Sequence, residues 1–446
     1  MATAADIESR APHTLTQETD PDLYASLTEQ ISSLADPYPI YRRLQRDYPV
    51  AEFEGLVSVF RYDDVAALLR HPRVSSDDRT SALHRSLLKQ DRLSTAYLSQ
   101  LDDQSFLHRD PPEHTRLRRL VAQAFTPHRV NALRPFIREQ VDSALNAAAE
   151  QGRLELVEDL AYPLPIEVIS HLIGIPEDDR PFVASWPRMQ LCCSFEPAEL
   201  GAAAKLEQEG APAQAEADRL QEQLTDYFAH LVRRRRSEPG DDLVSALIAA
   251  EEDGERLSGD EINATLRLLF VAGYENAVNL VGHGALALLR HPDQWAELRD
   301  DPASVSAAVE EVLRYDSPFQ FTRRVALDDV DVGGYRIPGG STIIAWLAAA
   351  NRDPARFTDP DRFDIHRRDN HHLAFGSGIH ACLGGALARA EAEAVFAELT
   401  RRLVNPRLED DEPRYRTDVF RSLEALPITF DSAKRDSHGM TRAGRR

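Results

Sequence analysis

Cysteine is scarce: the 446 residues hold three, Cys192, Cys193 and Cys382. Two of them are adjacent and awkward to bridge to each other. A disulfide framework is therefore excluded, and the reducing cytosol is the expected location. Positive charge is in deficit: 52 Lys and Arg stand against 73 Asp and Glu, a formal net charge of −21. Such a chain repels phosphate, which argues against nucleic acid as a partner and against anionic lipid surfaces. Long hydrophobic runs are missing as well. The longest, from Ile343 to Ala350, is about half of the ~18 residues that a membrane-spanning helix needs. The first residues, MATAADIESRAPHTLTQETD, lack the basic start and apolar stretch of a secretory leader.

What is present reads as a folded globular protein, with 42% hydrophobic and 28% charged residues. Helical periodicity dominates, and the expected fold class is mainly α with small β-sheets. Residues 1–20 and the basic stretch 432–446 read as flexible tails. Between them no repeat or linker divides the chain, so residues 21–431 are expected to form one domain. VAEFEGLVSVFR (residues 50–61) and residues 329–346 read as short strands around turns. Residues 74–107 show no sustained period, as in loops that bind ligands. Residues 207–217 read as a connection between two helices.

The most informative segment runs from Asp260 to Arg290. At ~1.5 Å per residue a single helix there spans about 46 Å. From Leu266 to Leu289 it is apolar nearly all round, the mark of a helix buried in a large core. Glu275 interrupts it, and a carboxylate at such a place must be paired or solvated.

Near the C-terminus stands Phe375-Gly376-Ser377-Gly378-Ile379-His380-Ala381-Cys382-Leu383-Gly384. Its glycines allow a tight turn ahead of the cysteine. The following LGGALARAEAEAVFAELTRRL is strongly helical, so Cys382 lies at a helix N-terminus, where the dipole favours thiolate. A thiolate in such a loop suits a soft metal. An isolated cysteine is also compatible with inert packing.

The stretch resembles, without substitution, the haem-binding signature of the cytochrome P450 family. Glu311-Val312-Leu313-Arg314 resembles the family's Glu-x-x-Arg helix, and Ala272-Gly273-Tyr274-Glu275-Asn276 its oxygen-activation motif. The resemblance implies a long central helix crossing a buried haem b, with Cys382 as the iron ligand. It implies haem contacts from Phe375, Gly376, Gly384 and Ala272. It implies propionate partners His114, Arg118, Arg324 and His380, and a network of Glu311 and Arg314 with Arg362. It also implies oxidation of a small substrate with O2 and two electrons, and Phe319, Phe321 and Phe420 suit an apolar or aromatic one. Ferredoxin and ferredoxin reductase would supply those electrons to a monomer. Arg116 and Arg119, i and i+3 on one helix, form the expected docking patch.

The sequence departs from the family at Asn276, where Thr is usual after the acid Glu275. One reading keeps hydroxylation of a secondary metabolite, with Asn276 and water relaying protons. The alternative is oxidative C–C or C–N coupling of aromatic rings. A reading from another class is a haem sensor or carrier without turnover. Tyr274 stands where His is common, and Arg109 where an apolar residue is common. Phe270, Phe319, Gln320, Phe321 and Phe420 are expected to line the substrate pocket. Cys192 and Cys193 are expected to pack within a helix.

Overall fold

Among the described residues a six-stranded mixed sheet, whose central strands are buried along their length, and four smaller sheets accompany the helices. The computed structural model describes residues 10–28, 35–53, 55–90, 93, 104–184, 210–252, 254–416 and 421–434. Cys192, Cys193 and Phe420 lie outside the described residues, and with the two cysteines the helix expected around them.

The sheet has strands β1 (His13–Thr14), β2 (Val50–Phe53), β3 (Leu56–Val59), β4 (Val74–Ser75), β5 (Thr322–Ala326) and β6 (Thr342–Ala345), in the order β1-β2-β3-β6-β5-β4. β2 and β3 form the expected hairpin. β3 pairs in parallel with β6, setting Val57 beside Ile343, and Ile343 faces Arg324 on β5. This register fixes the position of Arg324. Residues 10–20 differ from a loose tail. His13 pairs with Ala51, and its ring bonds the Tyr335 hydroxyl at 2.8 Å. The exposed edge of β2 offers unpaired backbone groups that capture it, and two residues are too few to show a strand period. Ser432–Ala433 likewise pairs with Leu403–Val404 inside the expected C-terminal tail.

Six helices position the site: α1 (Glu113–Ala124), α2 (Pro127–Gln151), α3 (Gly259–Ala272), α4 (Glu275–Arg290), α5 (Val305–Tyr315) and α6 (Gly385–Arg402). Their ends follow local chemistry. Thr126 caps α2, with Pro127 in its first turn and Gly152 left-handed at its end. Ser258 and Glu261 form a capping box at α3. α6 packs against α2, α4 and α5. At Gly284 a β-carbon would lie 2.1 Å from the Phe396 ring, so only glycine allows α4 to approach α6 this closely.

The single helix expected over 260–290 is instead two, α3 and α4. The Tyr274 N–H reaches back three residues to the Val271 carbonyl, at 3.4 Å, not four. Gly273 has low helix propensity, and the tightened turn breaks the cylinder there. Two further expectations of irregular chain give way to helix. Ala82–Lys89 is capped by Ser81 within 74–107, and Gly210–Ser237 begins inside 207–217. The Glu/Ala-rich composition of the latter favours helix on propensity alone. Among the described residues no helix is long and apolar enough to cross a membrane.

One buried acid stands outside the site. Glu391 on α6 is 2% exposed, one of its carboxyl oxygens has no hydrogen-bond partner among the described residues, and burial pushes its pKa up to about 8. A carboxyl raised in the fold contributes stability at low pH that is lost as pH rises through the folded value. Glu391→Gln removes that titration. At pH about 7 the variant should be more stable by about 3 kcal/mol, and the two proteins should converge near pH 4. Melting curves of both across this range check it, and parallel curves would refute it.

Candidate active site

The cysteine loop is held by its own backbone. The Cys382 N–H donates to the Phe375 carbonyl at 2.8 Å, and that of Gly376 to Leu373 at 2.8 Å. Gly376 and Gly378 adopt φ of 66° and 74°. A β-carbon on Gly378 would lie 2.4 Å from the Leu69 carbonyl oxygen, so the loop seats against the segment after β3 only with glycine there. The backbone N–H groups of Gly384 and Gly385 favour the Cys382 thiolate electrostatically. Cys382 keeps accessible surface, yet the protein around it raises the thiol pKa. Burial outweighs the Gly384 N–H, Arg118 and Arg389. The helix end expected to favour thiolate therefore does not prevail in the protein alone. A coordinated metal deprotonates a thiol outright.

Four basic side chains converge near this loop. His114 and Arg118 lie one turn apart on α1, and the rings of His114 and His380 are 4.2 Å apart. The Arg118 guanidinium donates to the Ala381 carbonyl. Arg324, buried on β5, donates to Thr322 Oγ1 at 2.9 Å. Both ring nitrogens of His114 and Nε2 of His380 are buried without a hydrogen-bond partner among the described residues. Burial holds the His114 pKa down, and burial aided by Arg324 pushes that of His380 down to about 2. Burial also lowers Arg324 to about 10. Orphaned buried donors among cations, beside a cysteine, fit a flat dianionic metal macrocycle and are costly without an anion.

The α3–α4 break supplies a second wall. Ala272 and Gly273 are exposed although the residues on either side of the helix pair are largely buried, and Asn276 is half-buried with an unpartnered Oδ1. Tyr274 packs inward, 5.5 Å from the Tyr162 ring. The buried Glu275 is paired, as its position demanded. Its Oε1 accepts from Ser422 Oγ at 2.8 Å and from Arg416 Nη2 at 3.4 Å.

Behind the loop, Arg314 and Glu311 form a bidentate pair at 2.8 Å, both fully buried. Arg314 also donates to the carbonyls of Asn351, Pro360 and Arg362. The expected role of Arg362 is corrected. Its carbonyl joins the network, but its side chain is 69% exposed. The further guanidinium on Glu311 is that of Arg367, at 3.2 Å. Sequence reasoning also missed Arg389, which stacks 4.5 Å from the Phe375 ring centre and bonds Glu310. Burial alone would raise Glu310, but hydrogen bonds from His372 and Arg389 bring it down to about 2. Arg389 lies 79 residues from Glu310, so no helical spacing could have paired them.

The expected pocket residues fare unevenly. Phe270 is fully buried against Phe228, with ring centroids 6.0 Å apart. Gln320 is fully buried and structural, accepting from the Tyr41 hydroxyl at 2.9 Å and donating to the Ser317 carbonyl at 2.7 Å. Phe321 packs 5.0 Å from the Trp346 ring. Phe319 keeps accessible surface. Arg109 lies 3.8 Å from Glu113. The expected docking patch is also altered. Arg116 pairs with Glu261, and Arg119 lies 3.9 Å from Glu255, so carboxylates offset both charges.

Comparison with known proteins agrees with this geometry. The family model for cytochrome P450 matches residues 74–421. Cytochrome P450 monooxygenase PikC of Streptomyces venezuelae is 40% identical over 89% of this chain and 91% of its own. The 6-deoxyerythronolide B hydroxylase of Saccharopolyspora erythraea is 37% identical over 93% and 99%. Among solved structures, CYP164A2 of Mycobacterium smegmatis with econazole bound superimposes with a TM-score of 0.80 at 38% identity, covering 92% of this chain and 99% of that one. The overall fold is thus shared with solved cytochrome P450 structures, and the family implies a haem cofactor. The chain belongs to the cytochrome P450 family and is an oxidoreductase of the monooxygenase type.

Proposed function

We propose that residues 21–431 act as one catalytic unit that inserts an oxygen atom of O2 into a small, largely apolar secondary metabolite. The single observation carrying this is the cysteine loop beside four basic side chains with orphaned buried nitrogens. Cys382 would hold the iron of haem b, while His114, Arg118, Arg324 and His380 receive its propionates. Phe375, Gly376, Gly384 and Ala272 would border the ring. The haem, when bound, supplies the oxygen-activating chemistry, which the thiolate ligand favours. The protein contributes orientation and proton handling. Glu275 takes up and releases protons, and Asn276 Oδ1 orders water at the helix break. Ferredoxin and ferredoxin reductase would deliver the electrons in the cytosol. Arg116 and Arg119 are too well offset to serve as a simple basic dock. The proposed substrate class is supported by the named hydroxylase among the relatives.

Asn276 favours one other reading, oxidative coupling of aromatic rings without oxygen insertion. Turnover with a ferredoxin system under 18O2 separates the two. We expect labelled product from the wild-type protein. Asn276→Thr should keep the label and change the rate by less than about ten-fold, the lower range of a positioned proton relay being larger. An oxidised product without label would sink the insertion reading, and gain of label only in Asn276→Thr would establish coupling.

A further inference from the structure

We infer that Ser422 and Arg416 are positioning residues for Glu275, with Asn279 setting the direction of the hydrogen bond between them. This rests on the reading of Glu275 as the proton-handling acid. Glu275, Asn279 and His283 recur at i, i+4 and i+8 on one face of α4. Each meets the returning C-terminal chain. Glu275 accepts from Ser422 and Arg416, Asn279 bonds Ser422, and His283 Nε2 lies 2.9 Å from the Arg421 carbonyl.

The direction follows from donor chemistry. The Asn279 Nδ2 amide lies 3.3 Å from Ser422 Oγ, and an amide N–H can only donate. The Ser422 oxygen is therefore the acceptor there. Its own hydrogen is left for Glu275 Oε1, at 2.8 Å. Reversing the hydroxyl would set two donors against each other. Ser422 thus favours the carboxylate form of Glu275 without itself losing a proton.

Arg416 reaches the same oxygen, at 3.4 Å. Its side chain is 32% exposed where that of Glu275 is 2%, so it connects a buried acid with solvent. Its guanidinium lies 5.1 Å from the Tyr162 ring centre, which steadies it. The Arg416 N–H also donates to the Ser422 carbonyl at 2.8 Å. That bond fixes the two donors to each other, so they address Glu275 as one unit. Arg421, next in the chain to Ser422, pairs with the buried Asp316 and anchors the unit to the end of α5.

The test uses the haem-loaded protein with Ser422→Ala, Ser422→Thr, Arg416→Gln and Glu275→Gln. Infrared difference spectra of protein carrying 13C-labelled glutamate, with Glu275→Gln to assign the band, follow the Glu275 carboxyl through a pH titration. Removing a hydrogen bond to the charged form should raise its midpoint by about one unit in Ser422→Ala and lower kcat about ten-fold. Arg416→Gln should act in the same direction. Substrate affinity, read from the Soret shift, should change less than about two-fold, and Ser422→Thr should restore both readouts. An unmoved carboxyl midpoint in a folded Ser422→Ala protein overturns the inference. So does a loss that appears in substrate affinity instead of kcat, or one that Ser422→Thr fails to restore while its melting point is unchanged. If Glu275→Gln keeps wild-type kcat, the acid reading itself falls. If Glu275→Gln loses kcat while Ser422→Ala does not, this inference falls alone.

Discussion

Replacing Cys382 by serine should abolish the thiolate-type Soret band of the reduced carbonyl complex and reduce turnover below measurement. Loss of an outer partner of a metal ligand costs ~10–100-fold, and loss of the ligand itself must exceed that. The protein should nevertheless fold. The loop is secured by the Cys382 N–H on the Phe375 carbonyl and by left-handed Gly376 and Gly378, none of which involves sulfur. Ser keeps these backbone bonds and differs mainly in its poorer soft-metal donor. Absorption spectra of the reduced carbonyl complex and circular dichroism give the two readouts. A thiolate-type band persisting in Cys382→Ser would mean that another cysteine is the ligand, and only Cys192 and Cys193 remain.

The largest loss of stability should follow from Arg314→Ala. This guanidinium is fully buried and serves Glu311 and three backbone carbonyls. Its removal leaves Glu311 with Arg367, Asn370 and the Asp364 N–H as partners. Breaking a buried pair by deleting one member costs about 3–5 kcal/mol, against a total stability of ~5–15 kcal/mol for a folded protein. Urea titration and bound-haem content check this together. We expect a lower midpoint and haem loss in parallel, because the network braces residues 351–370, which lead into the cysteine loop. A loss below about 1 kcal/mol would place Arg314 among dispensable pairs.

The chemistry of this site was legible wherever adjacent residues act together. The cysteine loop reads from consecutive residues because its glycines and its cysteine serve one turn. Glu311 and Arg314 read because i and i+3 share a helix face. Glu275 announced a partner because an apolar helix cannot carry a lone carboxylate. The partners themselves were hidden. Arg416 and Ser422 meet Glu275 from about 140 residues away, a distance at which no period or propensity speaks. Arg362 was mistaken for Arg367 because a motif names a neighbourhood and side-chain direction decides the contact. Phe321 and Gln320 sit beside Arg324 in sequence, yet they precede β5, and packing on Trp346 and hydrogen bonds to Tyr41 and Ser317 hold their side chains in the core. The break at Gly273 was missed because hydrophobic periodicity runs through it unchanged.

The sheet register has a consequence for biosynthesis. β3 is completed by residue 59, but its parallel neighbour β6 begins at residue 342. A ribosome adding ~5–20 residues per second leaves the early hairpin waiting about 15–60 s with one edge unpaired. Arg324 takes its place only when β5 and β6 arrive, and Cys382 is made later still. On the proposed haem site, capture of the cofactor would therefore be a late event in the life of the nascent chain. A chain arrested before residue 342 should hold an open strand edge and no complete cofactor cradle, which is a state suited to chaperones and prone to aggregation.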